Sequence, residues 1–158
     1  MHAPFTVNSN GARIVVEVQG EGPPLIFAHG LTGYRRTTQA QFATLLDRYM
    51  VVSFDQRGHG ASSPLTEPGA YEVGLMAEDL AQVMNALSIE RAIIGGESMG
   101  AATALEFALR YPERVSHLLL TAPAFGGEES TERERFIKIA NTIRAVGLKE
   151  FVGAARQV

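Results

Sequence analysis

Short apolar runs alternate along this chain with stretches in which apolar residues recur every three or four positions. The runs predict strands, and 25–28 lacks polar alternation, as expected of a strand that helices cover on both faces. The periodic stretches predict helices. The predicted strands are 25–28, 50–54, 92–94 and 115–120, and the predicted helices are 38–49, 71–87 and 99–111. This alternation indicates an α/β protein with a doubly wound, mostly parallel sheet between two helical layers.

The first and last parts of the chain depart from this alternation. Residues 5–8 and 13–18 predict two strands, and Asn10-Gly11 between them favours a tight hairpin turn. Residues 126–158 contain no further predicted strand. They begin as a loop, and Thr131-x-x-Glu134 then has the spacing of a capping box ahead of apolar positions at helical intervals.

Composition and charge exclude several classes of function. The 158 residues are 46% apolar and 20% charged, as in an ordinary globular domain. A net charge of −3 gives no electrostatic basis for binding nucleic acid or an anionic membrane surface. Because the N-terminus Met1-His2-Ala3-Pro4 lacks the features of a signal peptide, we expect a cytoplasmic protein. The absence of cysteine excludes disulfides and thiolate chemistry, and we expect neither a cofactor nor a metal.

The clearest chemical signal is a serine between two glycines. The strand predicted at 92–94 leads into Gly95-Gly96-Glu97-Ser98-Met99-Gly100, which passes directly into a predicted helix. In a G-x-S-x-G turn the serine lies at a sharp strand-to-helix junction, and a side chain at either outer glycine would collide with neighbouring backbone. This pattern predicts that Ser98 projects its hydroxyl into open space as a nucleophile.

Other interpretations of the same junction fit less well. In a dinucleotide-binding loop, Glu97 would take the place of the middle glycine, and its carboxylate would repel pyrophosphate. The glycine spacing of a P-loop is present, but Ala101-Ala102 replaces the lysine and hydroxyl residue that such a loop requires. A purely structural Ser98 stays open, because short strand-to-helix turns favour small residues.

Three motifs, in this order, resemble the first part of an α/β-hydrolase. They are His29-Gly30 after a buried strand, 55–62 (Asp-Gln-Arg-Gly-His-Gly-Ala-Ser) after the next, and the turn around Ser98. Each follows the carboxyl end of a predicted strand, where open parallel sheets bind their ligands. The resemblance covers nearly all of residues 5–125. It implies that Ser98 is the nucleophile and that the backbone N–H groups of Met99 and Leu31 bind the oxyanion.

The resemblance implies a serine hydrolase that acts on a small ester, lactone or related acyl substrate. A serine at the turn argues against the branches with an aspartate nucleophile, the epoxide hydrolases and haloalkane dehalogenases. Esterase, enol-lactonase, C–C bond hydrolase and cofactor-free perhydrolase branches stay open. A second hypothesis, from a different class, is a noncatalytic module of the same fold that binds a partner through the crevice or an exposed strand edge.

Other polar residues near the motifs have less definite roles. His29 is the only histidine expected near the crevice, and in the resembling family it shapes the oxyanion loop and is not the base. We expect Asp55, with Arg57, to organise the loop after its strand and not to complete a triad. Glu97 has two open roles, contact with substrate and a structural hydrogen bond. Arg35 and Arg36 border the expected pocket, where they either attract an acidic substrate or are simply solvated.

The chain contains only the first member of the triad, because the order in this family is serine, then acid, then histidine. We expect the acid and the histidine beyond Val158. We therefore divide the chain into part of a hydrolase core, 1–125, and the start of a helical cap, 126–158, with a further helix at 148–156. The edge of the strand 115–121 would expose backbone groups beside apolar side chains. This predicts self-association or binding of the missing C-terminal half.

Overall fold

The structure is a computed structural model that describes residues 3–123, 131–147 and 150. Contacts within the chain divide it into two compact units, Met1–Ala124 and Phe125–Val158. The predicted boundary between core and cap, and the helix predicted at 148–156, lie outside the described residues, with the exception of Glu150.

The elements of the first unit follow the predicted order. Its strands are β1 (Phe5–Ser9), β2 (Ala12–Gln19), β3 (Pro24–Ala28), β4 (Met50–Asp55), β5 (Ala92–Glu97) and β6 (Val115–Thr121). Its α-helices are α1 (Arg35–Gln41), α2 (Val73–Ala86) and α3 (Met99–Arg110), and short 3-10 helices span Ala43–Leu45, Pro68–Tyr71 and Pro112–Arg114. In the second unit the structure describes α4 (Thr131–Val146).

The strands form one sheet in the order β1-β2-β4-β3-β5-β6. The pairs β4–β3, β3–β5 and β5–β6 are parallel, whereas β2 is antiparallel to both β1 and β4. The prediction of a mostly parallel sheet is confirmed. The predicted hairpin is also present, with φ angles of 43° at Asn10 and 78° at Gly11, since the turn that suits twisted strands requires positive φ at both positions. Because β3, β4 and β5 are parallel, the segments that follow them meet at one edge of the sheet.

Apolar side chains cover both faces of this sheet. Within β3, Ile26 and Ala28 belong to one buried cluster, whereas Leu25 and Phe27 belong to another, because side chains alternate between the faces of a strand. The first cluster includes residues of α2 and α3, such as Leu80, and the second includes Phe42. The sheet is therefore doubly wound, as predicted.

The helix predicted at 38–49 is wrong in its extent. The structure has α1 at Arg35–Gln41 and a separate 3-10 turn at Ala43–Leu45. Phe42 leaves helical geometry, with φ −105° and ψ 12°, and its ring packs 4.9 Å from the ring of Phe27. The buried Phe42 ring thus lies at the point where the helix ends. Apolar residues at helical spacing are present on both sides of this point, so spacing alone did not distinguish one helix from two short ones.

The outer strand β6 differs from the other parallel strands in its burial. Among the described residues it pairs with β5 alone, and its central positions are exposed. Leu118 and Leu119 are 39% and 41% exposed, although each lies opposite a residue of β5. A row of backbone donors and acceptors therefore borders exposed apolar side chains.

Candidate active site

Ser98 lies at the junction between β5 and α3 in a strained conformation. Its φ of 52° and ψ of −115° place it outside the wells that side-chain-bearing residues ordinarily occupy. A Cβ at Gly96 would overlap the carbonyl oxygen of Gly100, and a Cβ at Gly100 would overlap that of Ala28. The prediction that both outer positions exclude side chains is confirmed. The turn is tight because strand, turn and helix approach one another through bare backbone.

Backbone hydrogen bonds hold this strained serine in place. The Ser98 N–H donates to Thr121 O at 3.0 Å, which ties the turn to the end of β6. The Ser98 carbonyl accepts from the N–H groups of Ala101 and Ala102 at 3.0 and 3.2 Å, which begins α3. The residue is only partly buried. The surrounding structure thus compensates for the strain and leaves the side chain accessible to solvent.

The segment that follows β3, residues 29–33, is here called the Gly30 loop. Ala28 lies opposite Gly96 in the sheet, so this loop begins beside the serine turn. A Cβ built at Gly30 would lie 3.5 Å from the Cβ of Ser98. Gly30 O accepts from the Gly33 N–H at 2.9 Å and from the His29 ring. Because a trans peptide group is planar, fixing Gly30 O also fixes the opposite direction of the Leu31 N–H.

One predicted oxyanion donor directly follows Ser98, and the other directly follows Gly30 of the neighbouring loop. Met99 is the first residue of α3, where helical N–H groups have no partner within the helix. Leu31 is 43% exposed in the Gly30 loop. Neither N–H donates to a backbone carbonyl of the residues that the structure describes. Their role as oxyanion donors stays a prediction, and the geometry leaves both groups available for it.

His29 is buried and already uses both ring nitrogens. Nδ1 donates to Gly30 O at 2.8 Å, and Nε2 accepts from the Gln56 N–H at 3.0 Å. Burial lowers the pKa of His29 to about 4, so the ring is neutral at physiological pH. A ring with no free nitrogen cannot accept a proton from Ser98. Its contacts match the loop-shaping role that the sequence resemblance implies.

The prediction that His29 alone lies near the crevice is wrong, because His59 lies there too. The two rings are 5.1 Å apart between centroids. His59 Nε2 is 2.9 Å from Leu31 O, and Nδ1 is 3.0 Å from Arg57 O. Contact between residues 28 positions apart depends on the course of two loops, which no local pattern in the sequence indicates.

Asp55 holds the loop after β4, since it accepts from the Ala61 N–H at 2.9 Å, but its ion pair is with Arg35 and not with Arg57. Asp55 is fully buried and accepts from Arg35, through the backbone N–H at 2.6 Å and through Nη1 at 2.7 Å. Arg35 also contacts Glu17 at 3.2 Å. Burial alone would lower the pKa of Arg35, but its bonds to the two carboxylates outweigh burial and raise the pKa. Arg35 is therefore neither solvated nor free to attract a substrate, whereas Arg36 is exposed.

Arg57 forms a buried ion pair with Asp79 that the sequence analysis missed. Arg57 Nε and Nη2 each donate to one carboxylate oxygen of Asp79 at 2.7 Å, and both side chains are at most 2% exposed. A third bond, from Nη1, goes to Ala70 O at 2.6 Å. A signal was present, because Asp79 lies three residues after Met76 and four before Val83, on the apolar face of the helix. A charge at such a position needs a buried partner.

Gln56 connects the two loops to the helix that follows the serine. Its side-chain N–H donates to His29 O at 2.6 Å, and its Oε1 accepts from the Thr103 hydroxyl of α3 at 2.9 Å. Glu97, in contrast, is exposed beside Ser98. The hydrogen bonds of Gln56 that support the site are therefore buried, whereas the carboxylate next to Ser98 is exposed to solvent.

Comparison with known proteins decides the family. A profile of the family described as alpha/beta hydrolase fold matches residues 23–148, which include both loops, the serine turn and all of α4. The chain belongs to the α/β-hydrolase family. Membership accounts for the sheet order and for the serine at a strand-to-helix junction.

Several named α/β-hydrolase relatives are similar to this chain. The 3-oxoadipate enol-lactonase 2 of Acinetobacter baylyi is 35% identical over 67% of this chain and 39% of its own length. The 2-(acetamidomethylene)succinate hydrolase of Mesorhizobium japonicum is 36% identical over 63% of this chain and 35% of its own. A thermophilic esterase from Thermogutta terrifontis, solved with malate bound, is 28% identical with a TM-score of 0.80, over 92% of this chain and 55% of its own.

The chain spans only part of these relatives, 39% of the length of the enol-lactonase and 35% of the length of the 2-(acetamidomethylene)succinate hydrolase. In the part of the chain that the structure describes, no helix is long and apolar enough to cross a membrane. The triad acid and histidine predicted beyond Val158 stay a prediction.

Proposed function

We propose that this chain carries the nucleophile and the oxyanion donors of a serine hydrolase for an ester, lactone or related acyl substrate. The observation that carries the proposal is the strained Ser98 turn, which lies beside Gly30 and at the first N–H groups of α3. Strain at a partly exposed serine is typical of a nucleophile that the fold holds in place. The relatives named as enol-lactonase, hydrolase and esterase support the same class of chemistry. The cytoplasmic location expected from the sequence stays a prediction.

The reaction would proceed in two halves. Ser98 Oγ attacks the acyl carbon and transfers its proton to a base, while the carbonyl oxygen becomes an oxyanion between the N–H groups of Leu31 and Met99. The tetrahedral intermediate then expels the leaving group, which takes up that proton, and water hydrolyses the resulting acyl-serine. Each backbone donor contributes about 3 to 4 kcal/mol to transition-state stabilisation. Side-chain changes at Leu31 and Met99 should therefore matter less than changes that move their backbone.

The base and the acid that orients it are part of the proposal. Both ring nitrogens of His29 form hydrogen bonds, and both ring nitrogens of His59 lie within 3.0 Å of backbone carbonyl oxygens, so the geometry offers neither ring as the base for Ser98. We place the base and the acid in the part of the relatives' length that this chain does not span. Without its histidine a serine triad loses on the order of a millionfold in turnover. The 158-residue chain alone is therefore expected to be nearly inactive.

The test compares this chain with a protein extended to the length of its relatives. Both are treated with a fluorophosphonate and assayed with a short-chain p-nitrophenyl ester, and peptide mass spectrometry identifies the labelled residue. We expect an adduct at Ser98 and turnover in the extended protein, with a loss on the order of a millionfold in Ser98→Ala.

The matched control is Ser88→Ala. Ser88 also has a positive φ, 54°, and is exposed, but it follows α2 and not a strand. This variant should retain labelling and turnover. An extended protein with neither a Ser98 adduct nor turnover would exclude the enzyme and leave the noncatalytic module as the better hypothesis.

A further inference from the structure

Two histidines hold successive carbonyl groups of the Gly30 loop. His29 Nδ1 donates to Gly30 O at 2.8 Å, and His59 Nε2 lies 2.9 Å from Leu31 O. A carbonyl oxygen can only accept, so in a hydrogen bond between these two atoms His59 Nε2 is the donor. His59 thus contacts, from a different loop, the residue whose N–H is proposed to bind the oxyanion.

The loop that carries His59 has backbone hydrogen bonds of its own, which do not involve the ring. The backbone of 56–63 is already fixed by three hydrogen bonds: His59 N–H to Gln56 O at 2.9 Å, Ser62 N–H to His59 O at 2.9 Å, and Gly58 N–H to Ser63 O at 3.0 Å. The ring is therefore available to connect this rigid loop to Leu31.

Both contacts of the ring are to carbonyl oxygens. Nδ1 lies 3.0 Å from Arg57 O, and Nε2 lies 2.9 Å from Leu31 O. A neutral ring carries one hydrogen, so it donates either to Leu31 O from Nε2 or to Arg57 O from Nδ1. The proposal concerns the tautomer with its hydrogen on Nε2, and the variants below distinguish it from the other.

We propose that His59 is a positioning residue that keeps Leu31, and with it the Leu31 N–H, in place beside the serine turn, an inference that rests on the proposed function. The peptide group before Leu31 is held at Gly30 O, and the one after it is held at Leu31 O by His59. Because peptide groups are planar, holding both leaves no free rotation about the bonds of the Leu31 Cα. The direction of the Leu31 N–H is set at Gly30 O. Loss of the His59 contact frees the peptide group after Leu31, and the Leu31 Cα can then shift and carry the donor out of position.

Two amide substitutions separate the two bonds of the ring. The side-chain N–H of His59→Gln can replace Nε2 and donate to Leu31 O, whereas the shorter His59→Asn can replace Nδ1 and donate only to Arg57 O. Ser63→Ala is the control. It removes a bond from the same loop, in which Ser63 Oγ accepts from the Arg13 N–H at 3.1 Å, without contacting Leu31.

In the extended protein, His59→Asn should lower kcat about tenfold and change KM by less than about twofold. The reason is that complete loss of one oxyanion donor costs 10²- to 10³-fold, and a misaligned donor loses part of that. His59→Gln should recover kcat to within about threefold of wild type, and Ser63→Ala should match wild type. A role confined to stability would not distinguish Gln from Asn in this way.

A second measurement needs no turnover. In the 15N-labelled 158-residue chain, the Leu31 and Thr32 amide resonances should shift and exchange faster with solvent in His59→Asn, and should stay near wild type in His59→Gln. If Gln and Asn behave alike in both measurements, the inference is wrong. If the extended wild-type protein shows no turnover, the proposed function fails, and the amide measurement alone decides whether His59 positions Leu31.

Discussion

The loops after β3 and β4 and the outer strand β6 border the same sheet but differ in how their polar and apolar groups are satisfied. In the loops, charged and polar side chains such as Asp55, Gln56 and Arg57 are buried, and each has several hydrogen-bond partners. On β6, Leu118 and Leu119 are exposed and one backbone edge is unpaired among the described residues. The scaffold around the serine is therefore self-contained, whereas the far edge has the properties of a surface that another segment covers.

The largest expected change in the free energy of unfolding concerns the buried polar residues of the loops. Asp79→Ala would leave Arg57 charged, buried and without its carboxylate. Breaking a buried pair in this way costs about 3 to 5 kcal/mol. We expect a lower free energy of unfolding by that amount in urea denaturation followed by circular dichroism.

The neighbouring residue of α2 provides the control for that prediction. Glu78 pairs with Arg110 at 3.3 Å, but these side chains are 29% and 42% exposed. Glu78 also accepts from the Tyr111 hydroxyl at 2.6 Å. Because an exposed pair and one such hydrogen bond contribute about 1 kcal/mol each at most, Glu78→Ala should cost clearly less than Asp79→Ala. Equal losses in the two variants would contradict the distinction between buried and exposed ion pairs.

The serine turn should respond to a single added methyl group. Gly96→Ala would place a Cβ against the carbonyl of Gly100, which belongs to backbone and cannot rotate away. We expect about 3 kcal/mol of destabilisation, the upper part of the range for overpacking, and loss of labelling at Ser98 in the extended protein. Gly69→Ala is the control, since its Cβ would meet only the Glu72 side chain at 3.4 Å. Normal labelling in Gly96→Ala would argue against a rigid turn.

Buried His29 should make the stability of the loops depend on pH. With its pKa lowered by burial to about 4, the folded chain stays neutral at His29 while the unfolded chain takes up a proton below about pH 6.5. The unfolded state then binds more protons, so stability is complete above about pH 6.5 and falls as the pH approaches 4. We expect a loss on the order of 3 kcal/mol over this interval.

Urea unfolding at several pH values between 7.5 and 4 would measure this loss. His29→Gln removes the titrating ring and should show a shallower dependence on pH than wild type. Identical slopes in the two proteins would contradict the assignment of the effect to His29.

The smallest expected effect on stability lies at the exposed edge. Leu119→Lys adds a charge beside the unpaired side of β6, and charged edge residues discourage pairing between strands. The free energy of unfolding should change by less than about 1 kcal/mol. Light scattering after size-exclusion chromatography should show less self-association than in wild type.

Leu109→Lys adds the same charge on α3, at a position that is 70% exposed and away from the edge. It should associate like wild type. A wild-type chain that is monomeric at high concentration would count against an adhesive edge.

Sequence patterns predicted the structural features that depend on residues close together in the chain. The strands, the hairpin at Asn10-Gly11 and the glycines of the Ser98 turn follow from local periodicity and backbone freedom, and the structure confirms them. The pairings of Arg35, Arg57 and His59 join residues 18 to 28 positions apart, so they depend on where whole loops run. For these, the sequence indicated which residues were chemically suited to form contacts but not which partners they would find.

The backbone angles of Ser98 have a consequence for how this chain could change over many generations. Glycine adopts φ 52°, ψ −115° without steric strain. Ser98→Gly would therefore relieve roughly 1 to 3 kcal/mol of backbone strain while it removes the hydroxyl. Selection for stability alone would therefore favour glycine at this position. In related sequences that no longer use the hydroxyl, we expect glycine at the position of Ser98 before any change at Gly96 or Gly100.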